Sequence, residues 1–449
     1  MNRTPAAAAA LLSAVTFLLV ATAPGAEDST RVGGSFSTSN PSPFQAAPHP
    51  GDLDPHFGSG GRVLTDFGSN YDAANAVALQ RDGKIVVAGE SNVGDLALAR
   101  YQTDGKLDPS FGSGGMVRAP GFRATGVAIQ PDGKIVLVGG HDQRGQLRLG
   151  LTRYDVDGNL DPSFGSRGLV LTHFRRQSPL DSGTALGLQP DGKIGATGWT
   201  GAVGPHTRVY FALARYLPRG QLDQTFGRAG KVVTSSPLRS SDAFASALAI
   251  RRDARIVVAG ANEPNVVGGP SSVMLARYRA NGSLDRGFGR HGRLISRLPG
   301  IEESEATGVA IDRHGKIVVV GWGGNQIDFI LARFRSSGRL DSRFGKHGAV
   351  TTDFGGEDFG SAIAIQRDGK LIVAGGTDRG FALARYTPAG RLDRTFGVNG
   401  KTVTRFTGKR DEVTIGEAAI AASCLAALSS DEEAPRTLPA LSERATRRR

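Results

Sequence analysis

From residue 61 onward the chain alternates short apolar runs with glycine-rich turns. The first unit reads GRVLTDF, ANAVALQ, KIVVAGE and LALARYQ. These runs show either period-two alternation or a brief unbroken apolar stretch, which predicts β-strands and not helices. We label them A, B, C and D in that order. Run C recurs around Ile85, Ile135, Ile194, Ile256, Ile317 and Leu371, and run D ends in Arg-Tyr or Arg-Phe six times, from Arg100-Tyr101 to Arg385-Tyr386. A run such as IVVA, apolar at successive positions, needs cover on both faces, so these strands belong in the middle of a stack.

A second signal punctuates the runs. The motif L-D-x-x-F-G-x-x-G begins at Leu53, Leu107, Leu160, Leu222, Leu284, Leu340 and Leu392, in steps of 54, 53, 62, 62, 56 and 52 residues. Self-similarity at that pitch marks a repeat architecture. Four strands per repeat, with neighbours on both faces, predict the blade of a β-propeller. Asp-Gly turns join B to C at Asp82-Gly83, Asp132-Gly133, Asp191-Gly192 and Asp368-Gly369, as tight hairpins require. One copy reads Asp253-Ala254, where the turn is expected to be strained or of another type. Between D and A the motif acts as a latch, its Phe an apolar plug and its glycines a backbone path closed to residues with a Cβ.

The runs ANAVALQRDGKIVVAGES and LALARYQTDGKLDPSFGSGG and their copies resemble the delta-60 repeat proteins over about residues 53 to 406. The resemblance implies an exported β-propeller, with run B innermost and run A outermost as in the distantly similar NHL class. It brings over no catalytic residue, because the shared motif consists of turn and core positions.

The fold class read from the chain is therefore all-β, a propeller of four-stranded blades. Run A occurs seven times and B, C and D six times each. Six blades leave one spare A run, Val63 to Phe67 or Val403 to Phe406, as a ring closed by an exchanged terminal strand would. Seven blades are the alternative, because DEVTIGEAAIA from Asp411 fits a further B strand, although no GKIVVAG or LARY follows it. The domain plan is a signal peptide over 1–26, a flexible lead-in over 27–51, the propeller over 52–406, and a short helix or disordered basic tail over 407–449. Arg3, the uncharged stretch from Ala6 to Ala23 and the small residues Gly25 and Ala26 carry the leader assignment, with an uncleaved anchor as its rival.

In an up-and-down meander the B–C and D–A turns share one face, and the A–B and C–D loops share the other. The first face is monotonous; the second differs in every blade, with loops such as WTGAVGPHTRV, ANEPNVVGGPSS, WGGNQID and LPGIEESE. Variable loops on a rigid scaffold are where binding residues concentrate. The candidate binding residues there are Tyr71, Asp142, Trp199, His206, Trp322 and Asp328. Trp199 and Trp322 follow a C run directly, and each suits either stacking on a sugar or plugging an apolar gap. His206 lies in a long loop without an adjacent partner, whereas His291 and His347 fill a slot of the latch turn and read as structural.

Composition narrows the picture. Of 449 residues 39% are hydrophobic, 21% charged and 63 are Gly, so the chain can bury a large core and turn often. The single cysteine, Cys424, excludes an internal disulfide. A net charge of +12 speaks only to solubility and nonspecific attraction. The sequence holds no G-x-S-x-G elbow, P-loop, H-E-x-x-H or C-x-x-C, so no catalytic residue, metal ligand or cofactor is assigned. Pairing of each latch Asp with the Arg of run D is expected, one ion pair per blade. The leading functional expectation is a secreted or cell-surface module, a monomer without a membrane span after leader cleavage, that binds an extracellular protein or polysaccharide and no nucleic acid. An enzyme at the mouth of the propeller tunnel (a hydrolase or lyase) and a purely structural repeat protein are the alternatives.

Overall fold

The computed structural model describes residues 49–405, apart from 70, 93, 144, 176–177, 203–207 and 267–268. Its 24 strands form six four-stranded antiparallel blades, each from consecutive sequence. The first blade comprises β1 (Asp72–Leu79), β2 (Ile85–Ser91), β3 (Asp95–Tyr101) and β4 (Met116–Ala119), which are runs B, C, D and the next A. The same order repeats to β21 (Asp358–Ile365), β22 (Leu371–Thr377), β23 (Gly380–Tyr386) and β24 (Lys401–Thr404). A single parallel bridge, Leu147 to Leu180, ties the second blade to the third. The C and D strands are buried on both faces, as their unbroken apolar runs require.

Each blade's apolar faces interlock with the next. Val86, Ala88, Leu96 and Leu98 of the first blade meet Phe122, Ile135 and Leu137 of the second, and four further cores of the same make follow around the chain. The inner B strands carry a β-bulge at a fixed place, and the extra residue turns its polar side chain across the junction. Asn75 Nδ2 donates to Ala124 O at 2.8 Å, Thr125 Oγ1 to Gly183 O at 3.0 Å, Thr184 Oγ1 to Ala245 O at 3.0 Å and Thr307 Oγ1 to Gly360 O at 2.6 Å. Opposite the first bulge sits Gly89, where a Cβ would lie 1.8 Å from Ala73 O. That contact fixes the glycine that ends the IVVAG run.

The latches form the continuous belt of the molecule. Gly58 N–H donates to Asp104 O, Gly112 to Asp157 O, Gly165 to Arg219 O, and so on through Gly345 to Ala389 O, each latch gripping the turn of the next repeat. The last one, Gly397, donates to Pro50 O at 2.8 Å. Among the described residues the joining of the chain ends therefore uses this latch and not an exchanged strand, contrary to the expectation for a spare A run. That run, Val63 to Phe67, is not a strand, yet Thr65 Oγ1 lies 2.7 Å from Tyr101 OH, as Thr172 meets Tyr216 and Thr352 meets Tyr386 in later repeats. Inner strands of successive blades pack side by side from β1 to β21, whereas β21 and β1 do not meet in that way. The DEVTIGEAAIA segment, the leader and the tail lie outside the described residues.

At Asp253-Ala254 the turn keeps the form of its sisters, with Ala254 at a φ of 60° and Ala254 N–H donating to Arg251 O at 2.9 Å. The strained alternative is the one realised. His291 and His347 occupy the left-handed slot of the latch, with φ of 54° and 56°, shared with Arg167, Ala229 and Asn399; their place is a matter of backbone geometry.

Candidate functional site

The central channel, a cavity of about 470 Å³, is lined by the bulge residues and their neighbours, including Asn75, Thr125, Thr184, Ser246, Thr307 and Ser361, and by no titratable side chain among the described residues. The proton-transfer groups that an enzyme at the tunnel mouth needs are thus not supplied by the channel wall. A second cavity of about 400 Å³ lies on the monotonous face, lined by Arg81, Lys84, Arg100, Gln130 and Asp157 among others.

The candidate residues from the sequence separate into different blades. Tyr71 is half-buried and packs on the first blade's core. Asp142 is exposed at the end of β6 (Ile135–Gln143) and accepts the Gly145 N–H at 2.7 Å. Trp199, in β10 (Ile194–Gly201), is only 9% exposed and meets Phe244 of the next blade edge-on, ring centroids 5.8 Å apart. His206 lies outside the described residues. Trp322, in β18 (Ile317–Gly323), meets Phe359 in the same edge-on manner at 6.1 Å but keeps partial exposure. Asp328 opens β19 (Asp328–Phe334) opposite Gly323, so Trp322 and Asp328 share one hairpin of the fifth blade.

Beside that hairpin the structure gathers carboxylates from two blades, the fourth and the fifth. Glu263, near the end of β14 (Ile256–Pro264), stands opposite Asp242 of β13 (Ser241–Ile250). Glu305 of β17 (Ser304–Ile311) stands opposite Trp322, and β14 packs against β17. Glu303 accepts a hydrogen bond from Ser271 Oγ at 3.3 Å, and its carbonyl accepts the Gly324 N–H at 2.9 Å. Burial, followed by the charges of Asp242 and Glu303, pushes Glu263 up to about 7. Burial and the charge of Glu263 push Glu305 up to about 7 as well, against a hydrogen bond from Ser271. By contrast Glu90, 1% exposed on the first blade, is paired with Arg123 of the second at 3.1 Å. The Glu263–Glu305 pair has no such cation beside it in the described ion pairs.

Sequence reasoning singled out Trp322 and Asp328 but passed over Glu263, Glu303 and Glu305. Their signal was present: GIEESE is an acidic loop in a basic chain, and its neighbour in space, the ANEP segment, belongs to a different blade at the same level.

Six segments of the chain, residues 80–111, 130–164, 189–226, 252–288, 315–344 and 366–396, match the family described as "Domain of unknown function (DUF5122) beta-propeller". The repeats are β-propeller repeats. Each matched segment runs from the B–C turn through strands C and D to the latch, so the shared part is the scaffold, and the variable A–B loops fall outside it. A comparison with curated proteins gives no match. Among solved structures, a gluconolactonase from Xanthomonas campestris is 16% identical, with 67% of this chain and 82% of that one covered at a TM-score of 0.35. A PQQ-bound aldose sugar dehydrogenase from Streptomyces coelicolor is 13% identical, with 70% and 90% covered at a TM-score of 0.40. A protein of unknown function from Dyadobacter fermentans is 10% identical, with 71% and 92% covered at 0.42.

Proposed function

We propose that the protein is an exported binding module of the delta-60 repeat type, and that the variable face of its fourth and fifth blades receives a saccharide chain. The observation that carries this reading is the grouping of Glu263, Glu303 and Glu305 at the junction of the fourth and fifth blades, with Glu305 paired in register with Trp322, whose partly exposed ring lies on the sixth-blade side of the same hairpin. A carboxyl poised near neutrality is shared between its acid and its base forms, so it both donates to and accepts from sugar hydroxyls, while an indole offers an apolar platform to a sugar face. Net charge does not drive such recognition. Retention of the protein on cell-envelope polysaccharide at high salt, lost in Trp322→Ala, tests the reading; binding that fades with salt and is indifferent to Trp322 refutes it.

A second reading rests on the Glu263–Glu305 pair itself. Two neighbouring carboxyls near pKa 7 are suited to general acid–base work at a glycosidic bond. Release of new reducing ends from the bound polysaccharide, abolished in Glu305→Gln, distinguishes this hydrolytic reading from binding alone.

A further inference from the structure

The internal repeats allow one junction to be read against another. At the junction of the second and third blades, Asp181, the second residue of the inner strand, pairs with Thr200 and is fully buried. Three groups serve it: His173 Nδ1 at 2.8 Å, Thr200 Oγ1, which donates at 2.5 Å, and the Arg148 guanidinium at 3.6 Å. The strand register places Asp358 at the same position in the sixth blade, opposite Thr377 as Asp181 is opposite Thr200. Asp328 stands where Arg148 stands, one residue before the partner of a threonine in the outer strand, and Asp353 stands where His173 stands, one residue after that threonine. The Arg and His positions of the earlier junction are carboxylates here.

The geometry that results is incomplete as a set of protein contacts. One carboxylate oxygen from each of Asp328, Asp353 and Asp358 lies within 4.8 Å of the others. Asp358 is 0% exposed; its Oδ2 accepts the Phe354 N–H, but its Oδ1 has no hydrogen-bond partner, and neither has Asp328 Oδ1. The first repeat shows what usually serves that oxygen. In its loop, T-D-F-G-S-N-Y-D, Ser69 Oγ donates to Asp72 Oδ1 at 2.7 Å; the corresponding loop T-D-F-G-G-E-D has Gly356 in that place. Thr377, which could imitate Thr200, instead accepts the Arg379 N–H through its Oγ1 at 2.9 Å. The charged groups around the cluster are Asp378, whose carboxylate accepts the Glu357 N–H at 3.1 Å, Arg379 beside Gly355, and Lys401, which donates to Asp353 O at 2.7 Å. None of the described ion pairs brings a Lys or Arg to Asp328, Asp353 or Asp358.

A buried carboxylate persists in a fold when a cation answers it. We propose that Asp328, Asp353 and Asp358 bind a hard divalent cation, calcium, between the fifth and sixth blades, where the ion replaces the Arg148–His173 pair of the sister junction. Three carboxylate oxygens within 4.8 Å of one another suit an oxygen-preferring ion of flexible coordination. This site is independent of the saccharide reading, which rests on Glu263, Glu303, Glu305 and Trp322.

The test is the melting temperature and the calorimetric binding isotherm of the full chain after chelator treatment, titrated with calcium chloride and, as a control, with sodium chloride. Saturable binding of one calcium ion with a rise in melting temperature is expected, together with at least roughly tenfold weaker binding in Asp358→Asn. A second variant, the double substitution Asp328→Arg and Asp353→His, rebuilds the sister junction; it is expected to melt at or above the calcium-free wild type and to ignore calcium. No calcium response in the wild type, or an equal response in Asp358→Asn and the double variant, overturns the proposal.

Discussion

Arg153 Nε donates to Asp161 Oδ2 at 2.9 Å while its guanidinium lies 4.7 Å from the centroid of the Phe164 ring. The same triangle of Arg, Asp and Phe is built six times, from Arg100, Asp108 and Phe111 to Arg385, Asp393 and Phe396. It unites the end of strand D with the latch, and Arg153 Nη1 extends it to Pro218 O of the next repeat at 2.8 Å. The buried charge is therefore paired, stacked and tied across a blade junction. Replacing Arg153 by Leu leaves Asp161, which is 6% exposed, with Lys134 Nζ at 2.8 Å and Ser163 as its remaining side-chain partners; a loss of about 1.5–3 kcal/mol is expected. Thermal or denaturant unfolding reads this directly, and an unchanged melting temperature would show that the triangle is not structural.

The latch aspartates also predict acid sensitivity. Burial alone pushes Asp161 up, but hydrogen bonds from Lys134 and Ser163 and the charge of Arg153 outweigh it and hold the carboxyl well below the usual range. Asp108, Asp223, Asp285, Asp341 and Asp393 are lowered in the same way. A carboxyl with a depressed folded-state pKa lends stability above its unfolded value, and that stability is lost as pH falls toward the folded value. Steep loss of stability is expected below about pH 4. Equilibrium unfolding across that range checks it, and Asp161→Asn is expected to show a shallower acid limb than the wild type.

Glu263 and Glu305 predict the opposite slope. Their folded-state pKa values, raised to about 7, mean that the folded chain holds protons the unfolded chain has released, so stability falls as pH rises from about 4.5 to about 7. Glu305→Gln removes the group that charges. Its stability relative to the wild type is expected to improve with pH across that window, and a constant difference would deny the raised value.

Ala254 gives a prediction of stabilisation. A Cβ in the left-handed region is strained, and its sister turns carry Gly83, Gly133, Gly192, Gly315 and Gly369 at positive φ. Ala254→Gly is expected to raise stability by about 1 kcal/mol; a fall would mean that the unfolded-state entropy of glycine outweighs the relieved strain.

The scaffold was legible because its rules are local and repeated. Unbroken IVVA runs announced doubly covered strands, and the recurrence of Arg and Asp eight residues apart announced the ion pairs that Arg153 and Asp161 form. Joining of the chain ends through Pro50 and Gly397 was not legible, since it depends on a backbone N–H and a carbonyl far apart in sequence and carries no side-chain signature. The carboxylate sites were legible only in part. Trp322 and Asp328 stood out beside a C strand, whereas Glu305, Asp353 and Asp358 acquire meaning through neighbours from other blades. Comparing repeats with one another rather than with their consensus supplies the missing signal, as Arg148 and His173 against Asp328 and Asp353 illustrate.

The most direct test of the saccharide-binding claim is a binding isotherm against cell-envelope polysaccharide at high salt and neutral pH for the wild type, Trp322→Ala and Trp199→Phe, with folding of each checked by circular dichroism. The account predicts roughly tenfold or greater weakening in Trp322→Ala and wild-type affinity in Trp199→Phe. Equal affinity of all three, or no saturable binding by the wild type, would contradict it.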